Sequence, residues 1–306
     1  MKSTFRAPGA CGELVQGTIN NINFLITCPI NIFSYVTVEL NKQDFITIND
    51  PKRKKVIKAV NSTMSHILGK RQGATITVNS EIPIGKGLAS STADITAACV
   101  ATAHVLNYKI SYEEIAKIAL SIEPTDGLFY PGIVAFDHVK GNYYQKIGDA
   151  IPIDILIFDF GGTVDTIAFN QRKDLGEKNQ SNEKQIKHAY ELIRKGLMDK
   201  NPALVGEGAT ISSLLNQSIL YKPHLEDIAD LVINLGALGI NVAHSGTIFG
   251  ILLEKNKLNP KDIIGKIQKK YPSLKYLGEY TLINGGIARE LEEETLWFKS
   301  ENMAAT

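Results

Sequence analysis

Between a strand-like segment and an alanine-rich one, residues 83–94 read PIGKGLASSTAD, placing two glycines, a lysine and two adjacent serines ahead of a run of small residues. The segment before it, ATITVNSEI (74–82), alternates apolar and polar side chains and is rich in β-branched residues, the pattern of a strand. The segment after it, TADITAACVATAHVL (92–106), carries apolar residues at helical spacing. A flexible strand-to-helix loop follows from these flanks. At the start of a helix the first N–H groups have no intrahelical partner, so such a loop turns free donors toward any anion beside it.

Two common phosphate-binding patterns fail on this stretch. A Walker A loop needs Ser or Thr after its Gly-Lys, and Gly87 stands there. A Rossmann fingerprint needs a third glycine, and Ser90 occupies that place. A plain glycine-rich turn with Ser90 or Ser91 as N-cap is the remaining local alternative.

Composition narrows the class. With 44% hydrophobic and 21% charged residues the 306-residue chain has the make-up of a soluble globular protein, enough for one large domain or two medium ones. A net charge of +1 gives no bulk electrostatic reason to bind nucleic acid or a membrane surface. No apolar run approaches the roughly 20 residues of a membrane span, and the start MKSTFRAPGACGEL lacks an apolar core, so a cytoplasmic location is expected. Cys11, Cys28 and Cys99 lack metal-ligand spacing and an even pairing; at least two are expected as small buried hydrophobes.

The pattern predicts strands over 23–30 and 31–40, a helix over 52–70, a helix near 112–121, a hairpin turned at Gly141 and a buried strand over 151–160. The polar stretch 170–185 reads as a surface loop at a domain boundary. Helices are expected over about 183–198, 202–218, 224–236 and 260–270, with a last strand at 279–285. The fold class is therefore α+β in two domains, 1–160 and 161–306.

The run P-x-G-x-G-L-x-S-S opening a helix resembles the phosphate-binding motif of the galactokinase, homoserine kinase, mevalonate kinase and phosphomevalonate kinase superfamily, the GHMP kinases. Residues 7–17, APGACGELVQG, resemble the first motif of that superfamily, and residues 241–253, NVAHSGTIFGILL, its third. The three occur in the expected order across nearly the whole chain. CGELVQG, GKGLASSTADI and EPTDGLFYPGIVAFDH are similar in wording to its L-threonine kinase branch.

That resemblance implies a first domain like the second domain of ribosomal protein S5 and a ferredoxin-like second domain. It implies transfer of a phosphoryl group from ATP, with Mg²⁺, to the hydroxyl of L-threonine for the aminopropanol arm of cobalamin. A homoserine kinase-like activity and a non-catalytic nucleotide- or metabolite-binding relative are the alternatives. The expected ATP site is Pro83, Gly85, Lys86, Gly87, Leu88, Ala89, Ser90 and Ser91, with Ser91 and Glu123 as Mg²⁺ ligands. Asp126, held in a turn by Pro124 and Gly127, is the expected base, with Lys86 as a catalytic point charge on phosphate. Mevalonate kinases carry a basic residue directly after the first Pro-Gly; here it is Ala10, so that charge is missing or comes from Lys86 or Arg6. An amino-acid substrate calls for a carboxylate at its ammonium, for which Glu13 and Asp94 are candidates, and Gln16 could bind its carboxylate or hydroxyl. His244 is expected to be structural, and Asp159, Thr163 and Asp165 to lie on the rim of the site. The partner is a small molecule; nothing in the sequence speaks to an oligomer.

Overall fold

A computed structural model describes residues 1–164 and 166–289. The first half contains strands β1 (Lys2–Ile19), β2 (Ile22–Leu40) and β3 (Ile46–Ile48), helix α1 (Lys54–Leu68), strand β4 (Ala74–Ser80), and helices α2 (Ser90–Val105) and α3 (Tyr112–Leu120). Strands β5 (Ile133–Phe136), β6 (Tyr144–Gly148) and β7 (Ile153–Asp159) precede helices α4 (Thr166–Asn170), α5 (Leu175–Met198), α6 (Pro202–Leu215) and α7 (Leu225–Asn234). Strands β8 (Gly239–Val242) and β9 (Ile248–Glu254), helix α8 (Pro260–Lys270), and strands β10 (Lys275–Thr281) and β11 (Ala288–Arg289) complete the described chain.

One sheet runs through the molecule in the order β10-β7-β9-β8-β1-β2-β4-β3, with β11 on β1 and the β5–β6 hairpin on β2. Its halves meet where β1 pairs with β8 at Glu13 and Val242. The larger core gathers Phe5, Val36, Met64, Ile95, Val100, Phe129 and Ile193; a second gathers Phe158, Phe249, Ile228, Ile263 and Leu274. Helix α2 lies at the centre of the first and is buried on nearly every side, as its Ala-rich, charge-poor sequence allows. Among the described residues no helix is long and apolar enough to cross a membrane.

Several expectations change. The stretch 23–40 is one strand, β2. Residues 7–17, given no element from sequence, belong to β1, whose pairing with β2 shifts register at Pro8/Gly9, Ala10/Glu13 and Glu13/Val15. Those bulges aim its polar side chains out of the regular alternation. The polar stretch 170–185 is mostly helix α5, not loop. Glu, Lys and Gln are good helix formers, and polar contacts hold this face: Lys178 Nζ donates to Ser218 O at 2.7 Å and Asn20 N to Glu183 Oε1 at 2.7 Å.

Strand β7 lies between β9 and β10 and opens the second unit of the sheet, whose β-α-β-β-α-β succession is ferredoxin-like. All three cysteines are buried and free. The hairpin turns at Gly141, whose φ of +70° suits glycine.

Candidate active site

The phosphate-loop candidate, the start of α1, the turn after α3 and the loop after β8 enclose one cavity of about 410 Å³, within the usual size of small-molecule sites. Gly85, Gly87, Leu88, Ala89, Ser90 and Ser91 line it. Ala89 takes φ +57° and precedes α2 with no side chain capping the first N–H groups, which leaves those donors for an anion. A Cβ on Gly85 would meet only Thr163 Cγ2 at 3.7 Å, so this backbone is open to a ligand. Gly87 differs: a Cβ would lie 2.4 Å from Ala243 Cβ and 3.0 Å from Gly246 Cα. It lets the loop press against the segment after β8, where Thr247 N donates to Lys86 O at 3.1 Å.

Ser91 Oγ donates to Glu123 Oε1, and Lys55 Nζ approaches Glu123 Oε2 at 2.5 Å. A hydroxyl and a buried carboxylate side by side are hard oxygen donors of the kind Mg²⁺ takes, and Mg²⁺ needs only one or two protein carboxylates beside phosphate oxygens. Asp126 follows Glu123 on the same wall. Thr92 Oγ1 donates to Asp126 Oδ2 at 3.3 Å and accepts from Asp126 N at 3.3 Å. Burial, joined by the charge of Glu123 against the Thr92 hydrogen bond, pushes the Asp126 carboxyl up to about 6. Glu13, on the facing strand β1, is raised well above the usual carboxylate range by burial and then by Asp126, while the Thr27 hydroxyl pulls the other way.

Three expected residues stand off the cavity wall, and a fourth, Asp94, lines it with its charge already paired. Pro83 is exposed and off the cavity wall. Lys86 turns away from the cavity: its Nζ lies 2.7 Å from Asp159 Oδ2 and donates to Gly162 O at 2.9 Å. Asp159 in turn accepts from Thr247 Oγ1 at 2.6 Å and from Gly161 N at 2.9 Å. Although burial alone would raise its carboxyl, these donors hold it below the usual range. The rim residue expected from sequence is thus a clamp joining two loops, and Lys86 is part of it. Gln16 lies behind the wall, where its Nε2 donates to Val242 O at 3.4 Å and its Oε1 faces His244 Nδ1 at 2.8 Å. Asp94 does line the cavity, but Ser34 Oγ donates to it at 2.5 Å and Arg53 forms a buried ion pair with it. That leaves little of its charge for a substrate ammonium. Thr163 is exposed beside Gly85, and the expected rim residue Asp165 lies outside the described residues.

Arg53, Lys55, Thr92 and His138, none of them singled out for the site from sequence, line the cavity, and so does His244, expected there to be structural. The first two come from the KRKK run that opens α1, which reads as an ordinary solvated helix start. The histidines are 106 residues apart in sequence, yet their rings meet edge to face with centroids 5.0 Å apart. Burial lowers His138 to about 4 and His244 well below its usual value, so both are neutral. Behind them Lys222 is buried, lowered to about 8 by that burial, and donates to Ala243 O at 3.3 Å.

Residues 54–129 match the family model for the GHMP kinases N terminal domain, and residues 189–273 that for the GHMP kinases C terminal domain. The chain is 31% identical over 286 residues to an L-threonine kinase of Citrobacter freundii, covering 92% of this chain and 98% of that one. It is 30% identical to an L-threonine kinase of Salmonella typhimurium strain LT2, covering 92% of this chain and 94% of the relative. In fold it is similar to a homoserine kinase from Cytophaga hutchinsonii, with a TM-score of 0.71 at 16% identity over 94% of this chain and 97% of that one.

Proposed function

The chain belongs to the GHMP kinases, and from that membership we propose that it transfers the γ-phosphoryl group of ATP to the side-chain hydroxyl of L-threonine, giving O-phospho-L-threonine and ADP. The observation that carries the reading is convergence on one cavity. An uncapped helix start, the Ser91–Glu123 pair and a carboxyl of raised pKa share its wall, and the relatives of matching length are named L-threonine kinases.

Phosphoryl transfer asks the protein mainly for positioning and charge stabilisation. The free N–H groups at the start of α2 and the backbone of 85–89 bind the phosphates. Ser91 and Glu123 would hold Mg²⁺, which supplies charge neutralisation on the phosphate oxygens. Asp126 accepts the threonine hydroxyl proton; its raised pKa brings it nearer the operating pH, where a base works best. Lys55 is the cation nearest the metal corner and supplies the charge that Ala10 lacks and Lys86 cannot give. The resemblance to the L-threonine kinase branch supports a product used for the aminopropanol arm of cobalamin. Dependence on ATP and three unpaired cysteines support a cytoplasmic enzyme.

ADP release by the purified protein with Mg·ATP, measured with L-threonine, L-serine, L-homoserine and no acceptor, tests the reading. L-threonine is expected to give the highest kcat/KM. Serine turnover is expected within roughly 10- to 200-fold of it, since one methyl group decides between them. Preference for homoserine, or ADP release indifferent to any acceptor, would reject threonine as the substrate.

A further inference from the structure

We propose that Glu13 and His244 together form the pocket for the α-ammonium group of the amino-acid substrate. The proposal rests on the reading of the substrate as a hydroxy amino acid and adds to it the side chains that recognise the amine.

Buried polar atoms ordinarily find partners, and three side chains on this cavity wall have one without any among the described residues: Glu13 Oε2, His244 Nε2 and His138 Nδ1, of which the first two are argued here as acceptors. Glu13 is 5% exposed and His244 9%. The chemistry of the histidine atom follows from its neighbours. Gln16 Nε2 donates to Val242 O, so its Oε1, an acceptor only, faces His244 Nδ1. Nδ1 therefore carries the proton. The ring is neutral in its buried place, so Nε2 presents a bare lone pair.

Glu13 on β1 pairs with Val242 at the end of β8, and His244 lies in the turn two residues beyond it. A bare imidazole nitrogen and an unpaired carboxyl oxygen call for a ligand rich in donors, and a positive one offsets the burial that holds the Glu13 carboxyl above the usual range, drawing it into its ionised form. An ammonium, with three N–H donors, is that ligand. A metal ion is not favoured: no group of three or more His, Cys, Asp or Glu among the described residues is placed to hold one. Three protein cations near the cavity are already committed, Arg53 to Asp94, Lys55 to Glu123, and Lys222 to the Ala243 carbonyl. Asp94, the other carboxylate expected for this role, is excluded by its own ion pair.

The test compares kcat/KM for L-threonine with that for (R)-3-hydroxybutyrate, which keeps the carboxylate and hydroxyl and lacks the amine. The wild-type protein is expected to prefer threonine by about 100-fold or more, a scale set by leaving buried polar groups unpaired. His244→Leu should cut that preference at least tenfold, mainly through KM, while keeping the Mg·ATP-induced rise in thermal midpoint that reports an intact nucleotide site. His244→Gln should retain most of the preference, because its amide oxygen can stand in for Nε2. If His244→Leu does not fold, Glu13→Gln carries the same test, with the same loss expected. An unchanged preference in a folded His244→Leu or Glu13→Gln overturns the pocket and leaves threonine kinase activity standing. If L-homoserine or L-serine is turned over instead of threonine, the substrate reading falls; the pocket then stands or falls on 4-hydroxybutyrate or 3-hydroxypropionate as the amine-free partner. A wild-type protein that turns over no amine-bearing compound overturns both.

Discussion

Asp126 owes its raised pKa to being partly buried near Glu123, which disfavours its ionised form. A base must be ionised to take a proton, so kcat/KM for the amino-acid acceptor should fall as pH drops through about 6. Glu13 is also raised, by burial and then by the Asp126 carboxylate, so the two acids oppose each other's ionisation. Asp126→Asn should lower turnover by roughly 10²-fold or more, the scale of general-base catalysis. Its effect on stability has the opposite sign. A carboxyl raised in the folded state favours folding while protonated and loses that advantage as pH rises through about 6. At pH 7.5 the neutral Asn is relieved of that cost. Because the residue is only partly buried, a gain of about 1 kcal/mol is expected, or roughly 2 °C in thermal midpoint. Melting curves at pH 5 and 7.5 would check it: the gain should be present at 7.5 and shrink at 5. A variant that loses turnover and stability together at pH 7.5 would mark Asp126 as a structural turn residue.

The loop from Gly85 to Ala89 was legible because its constraint is local: glycines and an uncapped helix start need no distant partner to be recognised. Lys86, in the same loop, was not. Its direction is set by Asp159 at the end of β7 and by the Gly162 carbonyl, more than 70 residues away, and no sequence spacing encodes that contact. Helix α5 was missed for a related reason: its first turns are polar, and what holds them is chain packed from elsewhere. The Lys86 assignment has a direct check. Lys86→Met removes a cation from a carboxylate that is 4% exposed; losing one partner of a buried pair costs on the order of 1–3 kcal/mol. The thermal midpoint should drop by several degrees, while kcat at saturating Mg·ATP changes less than about threefold. A loss of kcat near 100-fold with an unchanged midpoint would return Lys86 to the catalytic machinery.

At the scale of the molecule, one sheet carries both units, and the site lies where they join. The second unit was legible as a succession of strands and helices, but the pairing of β7 with β9 and β10 was not, because β7 reads like any buried apolar strand. The joint itself depends on Gly12, whose φ is +50° and where a Cβ would lie 2.4 Å from Val242 O. Gly12→Val should therefore separate β1 from β8, costing about 3 kcal/mol or more and reducing activity with it. Gly265, inside α8 with nothing within 4 Å of its would-be Cβ, is the control. Gly265→Ala should leave activity unchanged and add up to about 1 kcal/mol of stability. The most direct test of the whole account is the identity of the product. Purified protein incubated with Mg·ATP and L-threonine, followed by ³¹P NMR and mass spectrometry, should yield O-phospho-L-threonine and ADP in equal amounts, with Asp126→Asn forming almost none. Unchanged threonine, with ATP intact or hydrolysed to ADP and inorganic phosphate, would contradict it.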